Sequence, residues 1–208
     1  APILPSLHSH LLNLWKSTEL HQIRIHLLYT LKVLVQSVGT PSVRLFSFFA
    51  TLLRWCLDPS AASARVSLHD LALDLWLALL QCTPSPFPKS SFGLFDACWY
   101  SLARPAEIAD QKLSYVEALL SITGSYALGA GGGFVTDRLA GTLKLMFKAL
   151  GTSCQPHRRI EHLCAIDTLL SDLALLMPPR RFLALFHPYV AEMILSIARE
   201  ESKKRADG

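Results

Sequence analysis

Residues 66–84, VSLHDLALDLWLALLQCTP, predict a long helix with one broad apolar face. The apolar residues that recur at helical spacing are Leu68, Leu71, Ala72, Leu75, Trp76 and Leu79. Asp70 and Asp74 fall on the opposite side, and Pro84 ends the helix because proline lacks the amide donor. Such an apolar helix must pack between neighbours, so the segment predicts an array of packed helices.

The flanking sequence repeats this pattern, with helical segments separated by proline and glycine. Nine segments can be marked, and sustained strand-like alternation is absent from the sequence. Gly39 closes the second segment, and the ninth runs from Arg180 to Glu200 and is followed by a solvated tail with the basic run at 203–205. Odd-numbered segments from the third onward begin near residues 42, 88, 134 and 180, and even-numbered ones near 19, 65, 110 and 157. A helix pair repeated every ~40–47 residues is typical of HEAT and armadillo arrays. We therefore predict an all-α fold, an α-solenoid of about four HEAT-type hairpins plus a half repeat.

The composition indicates an ordered chain, and it predicts that the two ends of the helix array are covered by further parts of a longer protein. The 208 residues are 51% hydrophobic and 17% charged, and the net charge is +4. We expect residues 1–208 to form one repeat array within a longer protein, without a transmembrane helix. The five cysteines predict buried free thiols in a reducing compartment. The charge is too small to indicate nucleic-acid binding by itself.

Two clusters invite a chemical interpretation, and neither fits a known motif. The run Gly129–Gly133 lacks the lysine of a phosphate loop and follows a helix, so it predicts an inter-helix turn. Cys154, His157, His162 and Cys164 do not have zinc-ligand spacing, and we expect a core thiol at Cys164 and solvent-facing histidines. The sequence therefore predicts no cofactor, no metal site and no enzymatic activity, although a dispersed site in an all-helical enzyme stays open.

Charge differs between the two sets of helices. Odd helices carry mostly lysine and arginine, whereas even helices carry more carboxylates. In a solenoid one helix of each pair lines the inner wall, so the even helices predict an acidic, concave surface that attracts a basic protein partner. The candidate partner-binding residues are Asp70, Asp74, Asp110, Glu117, Asp167 and Asp172.

Several of these stretches resemble the importin-11-like karyopherins. LHDLALDLWLALLQCTP is similar to the Leu-x-Glu/Asp-Asp-Ala-Leu-x-Leu-Trp helix in the C-terminal half of that family. LPSLHSHLLNLW, the CLDPS break at Cys56–Ser60 and the helix end VEALLSITGSYALG are also similar to its consecutive repeats. The resemblance runs in order over Ile3–Ala198.

The resemblance implies the cargo-holding segment of a nuclear import receptor that moves between cytoplasm and nucleus. It implies protein cargo, nucleoporins, and the small GTPase Ran bound through an N-terminal part outside these residues, and the acidic even helices predict that the cargo is basic. Membrane insertion and direct nucleic-acid binding are not expected. The alternative is a HEAT scaffold subunit of another complex, such as a kinase-assembly or ribosome-assembly complex.

Overall fold

The structure is a computed structural model, and it describes residues 3–58, 66–102, 113–130, 134, 138–145 and 156–206. Within these ranges every regular element is a helix, which confirms the all-α prediction. The helices are α1 (Ile3–Ser17), α2 (His21–Val38), a 3-10 helix (Thr40–Leu45), α3 (Phe46–Cys56), α4 (Val66–Cys82), α5 (Lys89–Leu102), α6 (Leu113–Ala130), α7 (138–145), α8 (Pro156–Leu176) and α9 (Pro179–Ala206).

The ends of two helices show how local chemistry sets these bounds. α2 stops at Gly39, where φ is +66° and the amide donates to the Val35 carbonyl at 2.8 Å; glycine adopts this conformation without steric cost. α9 continues to Ala206, whereas the sequence predicted a helix end near Glu200 followed by a solvated tail. Lysine, arginine and alanine are strong helix formers, so no local signal stops the helix earlier.

The chain divides into two compact units, Ala1–Leu102 and Ala103–Gly208. In the first unit α2 packs on α4, α3 packs on α5, and α3 also contacts α4. Lys32 Nζ lies 2.6 Å from Asp74 Oδ2, and Cys82 Sγ donates to the Val35 carbonyl at 3.6 Å. The residue nearer the start of α2 contacts the residue nearer the start of α4, and the later residue contacts the later one. The two helices therefore run parallel. Helices two apart in the chain therefore form one layer.

The second unit has the same arrangement. α6 packs on α8, α8 contacts α9, and the Tyr189 hydroxyl of α9 donates to the Ala140 carbonyl of α7 at 3.3 Å. Contacts within a layer join residues that are 42, 47 and 49 positions apart. These separations match the repeat of about 46 residues that helix spacing predicted. Repeated hairpins with the packing of an α-solenoid are thus confirmed; whether both units form one continuous array stays a prediction.

Helix α4 is enclosed on most of its circumference. Trp76 is fully buried, and so are Leu73 and Leu80, which lie outside the apolar face that spacing predicted. The reason is that α4 contacts α2, α3 and the 3-10 helix. No helix in the described ranges is long and apolar enough to cross a membrane.

The cysteines differ in their surroundings. Cys56 and Cys98 are buried, as predicted, whereas Cys82 is half-buried and Cys164 is exposed. Among the described residues these four cysteines form no disulfide, and Cys154 lies outside that part of the chain. Burial raises the pKa of Cys98 to about 11, an effect that nearby Arg54 opposes and Asp58 reinforces.

We expect Cys98 to make the stability of the chain depend on alkaline pH. The unfolded thiol ionises near its ordinary pKa of 9.0 and the folded one near 11, so its contribution is complete below pH 9 and is lost as pH rises toward 11. Each pKa unit corresponds to about 1.4 kcal/mol. Urea unfolding between pH 8 and 11 should therefore show a steeper decline for the wild type than for Cys98→Ala. Parallel declines would contradict this expectation.

Candidate partner-binding site

A groove of about 450 Å³ lies between α6 and α8, two neighbouring helices of the second unit. Leu120, Gly124 and Leu169 contribute apolar surface, and Leu128 adds an exposed apolar side chain. The remaining lining residues are Glu117, Ser121, Ser125, Ala165, Thr168 and Asp172. This volume falls within the range of roughly 300–1,000 Å³ that is typical of ligand-binding sites.

Small side chains on the two facing surfaces open the groove. A Cβ at Gly124 would lie 3.2 Å from Leu169 Cδ1, so the helices approach closely at that point. Beside it, Ser121 and Ser125 project little, and the Ser125 hydroxyl donates to the Ser121 carbonyl at 2.8 Å. The Thr168 hydroxyl likewise donates to its own helix. The Ser125 and Thr168 hydroxyls thus use their donors within their own helices, and the charge of the groove comes from Glu117 and Asp172.

The charge of the groove is entirely negative among its lining residues. Glu117 extends from α6 and Asp172 from α8, and both are exposed. No lysine, arginine or histidine lines the groove. Carboxylates without a basic neighbour give a concave surface a negative potential, which attracts a cation. The structure therefore brings two of the six predicted residues to one site.

The other predicted carboxylate on α8 lies elsewhere. Asp167 is exposed but does not line the groove, because it lies five positions before Asp172 and therefore about 140° around the helix from it. Asp110 lies outside the described residues.

The two carboxylates of α4 have different surroundings. Asp70 is exposed, whereas Asp74 forms an ion pair with Lys32 of α2 at 2.6 Å. Both partners are partly exposed, so the pair contributes at most about 1 kcal/mol to stability. The lysine nevertheless offsets the charge of Asp74 and reduces its attraction for a basic partner.

The predicted environments of Cys164 and His162 are wrong. Cys164 is exposed. His162 is fully buried and lies on the same face of α8 as Ile166 and Leu169. Helical geometry explains this difference, because residues two apart point about 200° away from each other. In the described ranges no three potential ligands come together as a metal site. In the glycine run, Gly129 belongs to α6 rather than to a turn, and residues 131–133 lie outside those ranges.

Sequence reasoning missed the uncharged part of the groove. Ser121, Gly124 and Ser125 follow the i, i+3, i+4 spacing of one helical face, and this small-residue pattern was the available signal. The pattern alone does not show whether this face opens a groove or is filled by a neighbouring helix, because that depends on which residues of α8 lie opposite.

Stacked hairpins with a repeat near 46 residues define a helical-repeat protein, a class that presents extended surfaces to partners. A family model described as "Importin-11-like, TPR repeats" matches residues 25–196, so the chain belongs to the importin-11-like family. The separations of 42, 47 and 49 residues lie nearer to the HEAT repeat than to the ~34 residues of a TPR. No curated protein and no solved structure matches the chain.

Proposed function

We propose that this chain is a non-catalytic, cargo-binding segment of a nuclear import receptor, and that the groove between α6 and α8 binds a basic segment of the cargo. The observation that carries the proposal is the pair of carboxylates, Glu117 and Asp172, on opposite helices of a groove without a basic residue. Family membership supports the role in transport.

The lining indicates what kind of segment fits. A lysine or arginine side chain can pair with the carboxylates at the rim, while a neighbouring apolar side chain covers Leu120, Leu128 and Leu169. The expected ligand is therefore a segment in which basic and apolar residues alternate. Since the carboxylates are exposed, their attraction accelerates association and weakens as salt rises.

The remaining parts of the proposal rest on the sequence and the family. Asp70, Asp74, Asp110 and Asp167 stay predicted contributors to cargo binding. Ran, nucleoporins and movement between cytoplasm and nucleus are proposed from membership of the importin-11-like family. Capture of GTP-bound Ran by the full-length protein would distinguish an import receptor from a repeat scaffold of another assembly.

Blocking the groove tests the binding site. We expect a capped, fluorescent peptide Gly-Lys-Leu-Arg-Lys-Leu-Gly to bind at least tenfold more tightly than its glutamine counterpart. Ser121→Tyr places a ring over the groove and should weaken that binding at least tenfold. Ser171→Tyr is the matched control, because Ser171 is exposed on α8 and does not line the groove. Equal binding by both tyrosine variants, measured by fluorescence anisotropy, would exclude this groove as the site.

A further inference from the structure

A second cavity, of about 290 Å³, lies where α1, α2 and α3 meet in the first unit. Trp15 and Lys16 of α1, Arg24 of α2 and Trp55 of α3 line it, together with Leu12 and Leu52. The proposed cargo groove contains acidic residues, whereas both charged residues of this cavity are basic.

The two tryptophans hold the arginine in place. Their ring centroids are 5.4 Å apart and their planes are nearly perpendicular, at 88°. The guanidinium carbon of Arg24 lies 4.5 Å from the Trp55 centroid and 5.6 Å from the Trp15 centroid. Both distances are within the ~6 Å of a cation–π interaction. Because the guanidinium lies against two indole rings, a ligand that pairs with it finds a cation already in position.

Arg24 has no counter-charge in the described part of the chain. Its Nε is buried and makes no hydrogen bond there. Glu19, the acidic residue nearest in sequence, forms no ion pair with Arg24 or with exposed Lys16. The other guanidinium nitrogens are not buried, and a carboxylate that enters the cavity makes a charge-assisted hydrogen bond with them, which is stronger than a neutral one.

We propose that this cavity binds an acidic peptide segment, with a glutamate or aspartate carboxylate on Arg24 and a neighbouring apolar side chain against Leu12 and Leu52. A carboxylate matches the flat fork of a guanidinium, and Lys16 at the surface adds attraction. The cavity lies at the small end of ligand sites, which suits one or two side chains. Base stacking is disfavoured because the guanidinium already occupies the indole surfaces.

The test uses the full chain and three capped, fluorescent peptides. They are Gly-Leu-Glu-Leu-Glu-Leu-Gly and its counterparts with glutamine or phosphoserine in place of glutamate. We expect the glutamate peptide to bind at least tenfold more tightly than the glutamine peptide. Arg24→Gln should reduce this binding at least tenfold, whereas Arg44→Gln, which changes an exposed arginine outside the cavity, should leave it unchanged.

Lys16→Gln gives a second measurement that leaves Arg24 and both tryptophans in place. It should weaken binding of the glutamate peptide about threefold, as expected for one exposed charge. If Arg24→Gln does not fold by circular dichroism, this variant decides the test. Three results would overturn the proposal: no binding of the glutamate peptide, equal binding of the glutamate and glutamine peptides, or an affinity for the glutamate peptide in the decisive variant that equals that of the wild type. More than tenfold preference for phosphoserine also overturns it, because the site would then select a phosphate.

Discussion

Replacing Trp76 by alanine should lower the free energy of unfolding by about 3–5 kcal/mol, the range for a large aromatic residue removed from a core. Trp76 is 0% exposed, and its helix contacts α2, α3 and the 3-10 helix. The substitution removes the ring's transfer free energy and leaves a cavity that these enclosing helices close only in part. Denaturant unfolding of the full chain measures the change.

Tyr29→Ala is the matched control, because this aromatic side chain on α2 is 58% exposed. It should change the free energy of unfolding by about 0.5 kcal/mol or less. A loss below 1 kcal/mol for Trp76→Ala would mean that α4 is not the enclosed centre of the first unit.

Reversing both charges of the groove, by Glu117→Lys with Asp172→Lys, should weaken the basic peptide at least tenfold. Each substitution removes an attraction and adds a repulsion beside the same ligand, and about 1.4 kcal/mol in total suffices for a tenfold change. Both side chains are exposed, so the fold should tolerate the change. Anisotropy titration at low and physiological salt measures affinity, and the loss should be larger at low salt.

The control for net charge is Asp96→Lys with Glu192→Lys. Both residues are exposed, neither lines the groove, and neither is a predicted cargo-binding residue. The two double variants carry the same formal charge, so a difference between them reports position rather than overall charge. We expect less than a threefold loss for the control, since charges beyond about 8 Å are largely screened at physiological salt.

Helix positions were predictable because proline, glycine and apolar spacing act locally. Gly39 ends α2 where expected, and Trp76 is buried where the helical pattern placed it. The sequence separations of the contacts within a layer are close to the predicted repeat for the same reason. The repeat length is set by the lengths of the helices and turns, which local signals determine. The end of α9 was predicted too early, because no local stop signal precedes Ala206 and nothing in the sequence marks the true end of the helix.

The candidate binding sites could not be predicted as well as the helices, because they depend on which helices pack against each other. Asp74 and Lys32 are 42 residues apart, so their ion pair follows from lateral packing of α4 on α2. Glu117 and Asp172 share a groove only because α6 stacks directly on α8. A count of carboxylates by helix identified both residues and could not separate them from Asp167, which lies on another side of α8.

The cavity in the first unit shows a further limit. Trp15 and Trp55 lie among leucines at helical spacing, which predicts core packing for both. Trp15 is buried as predicted, whereas Trp55 is half-buried and lines a surface cavity beneath Arg24. This difference arises because three helices converge around the arginine, a geometry that no single helix pattern contains.

A charge exchange decides whether the groove between α6 and α8 binds its ligand through Glu117 and Asp172. The measurement is the affinity of wild type and of the Glu117→Lys, Asp172→Lys variant for two peptides, the basic one and a counterpart with glutamate for each lysine and arginine. Arg24→Gln is included in both proteins so that the second cavity does not capture the acidic peptide. We expect the wild-type groove to prefer the basic peptide at least tenfold and the reversed groove to prefer the acidic one. An unchanged preference in the folded, reversed protein would contradict binding at this groove.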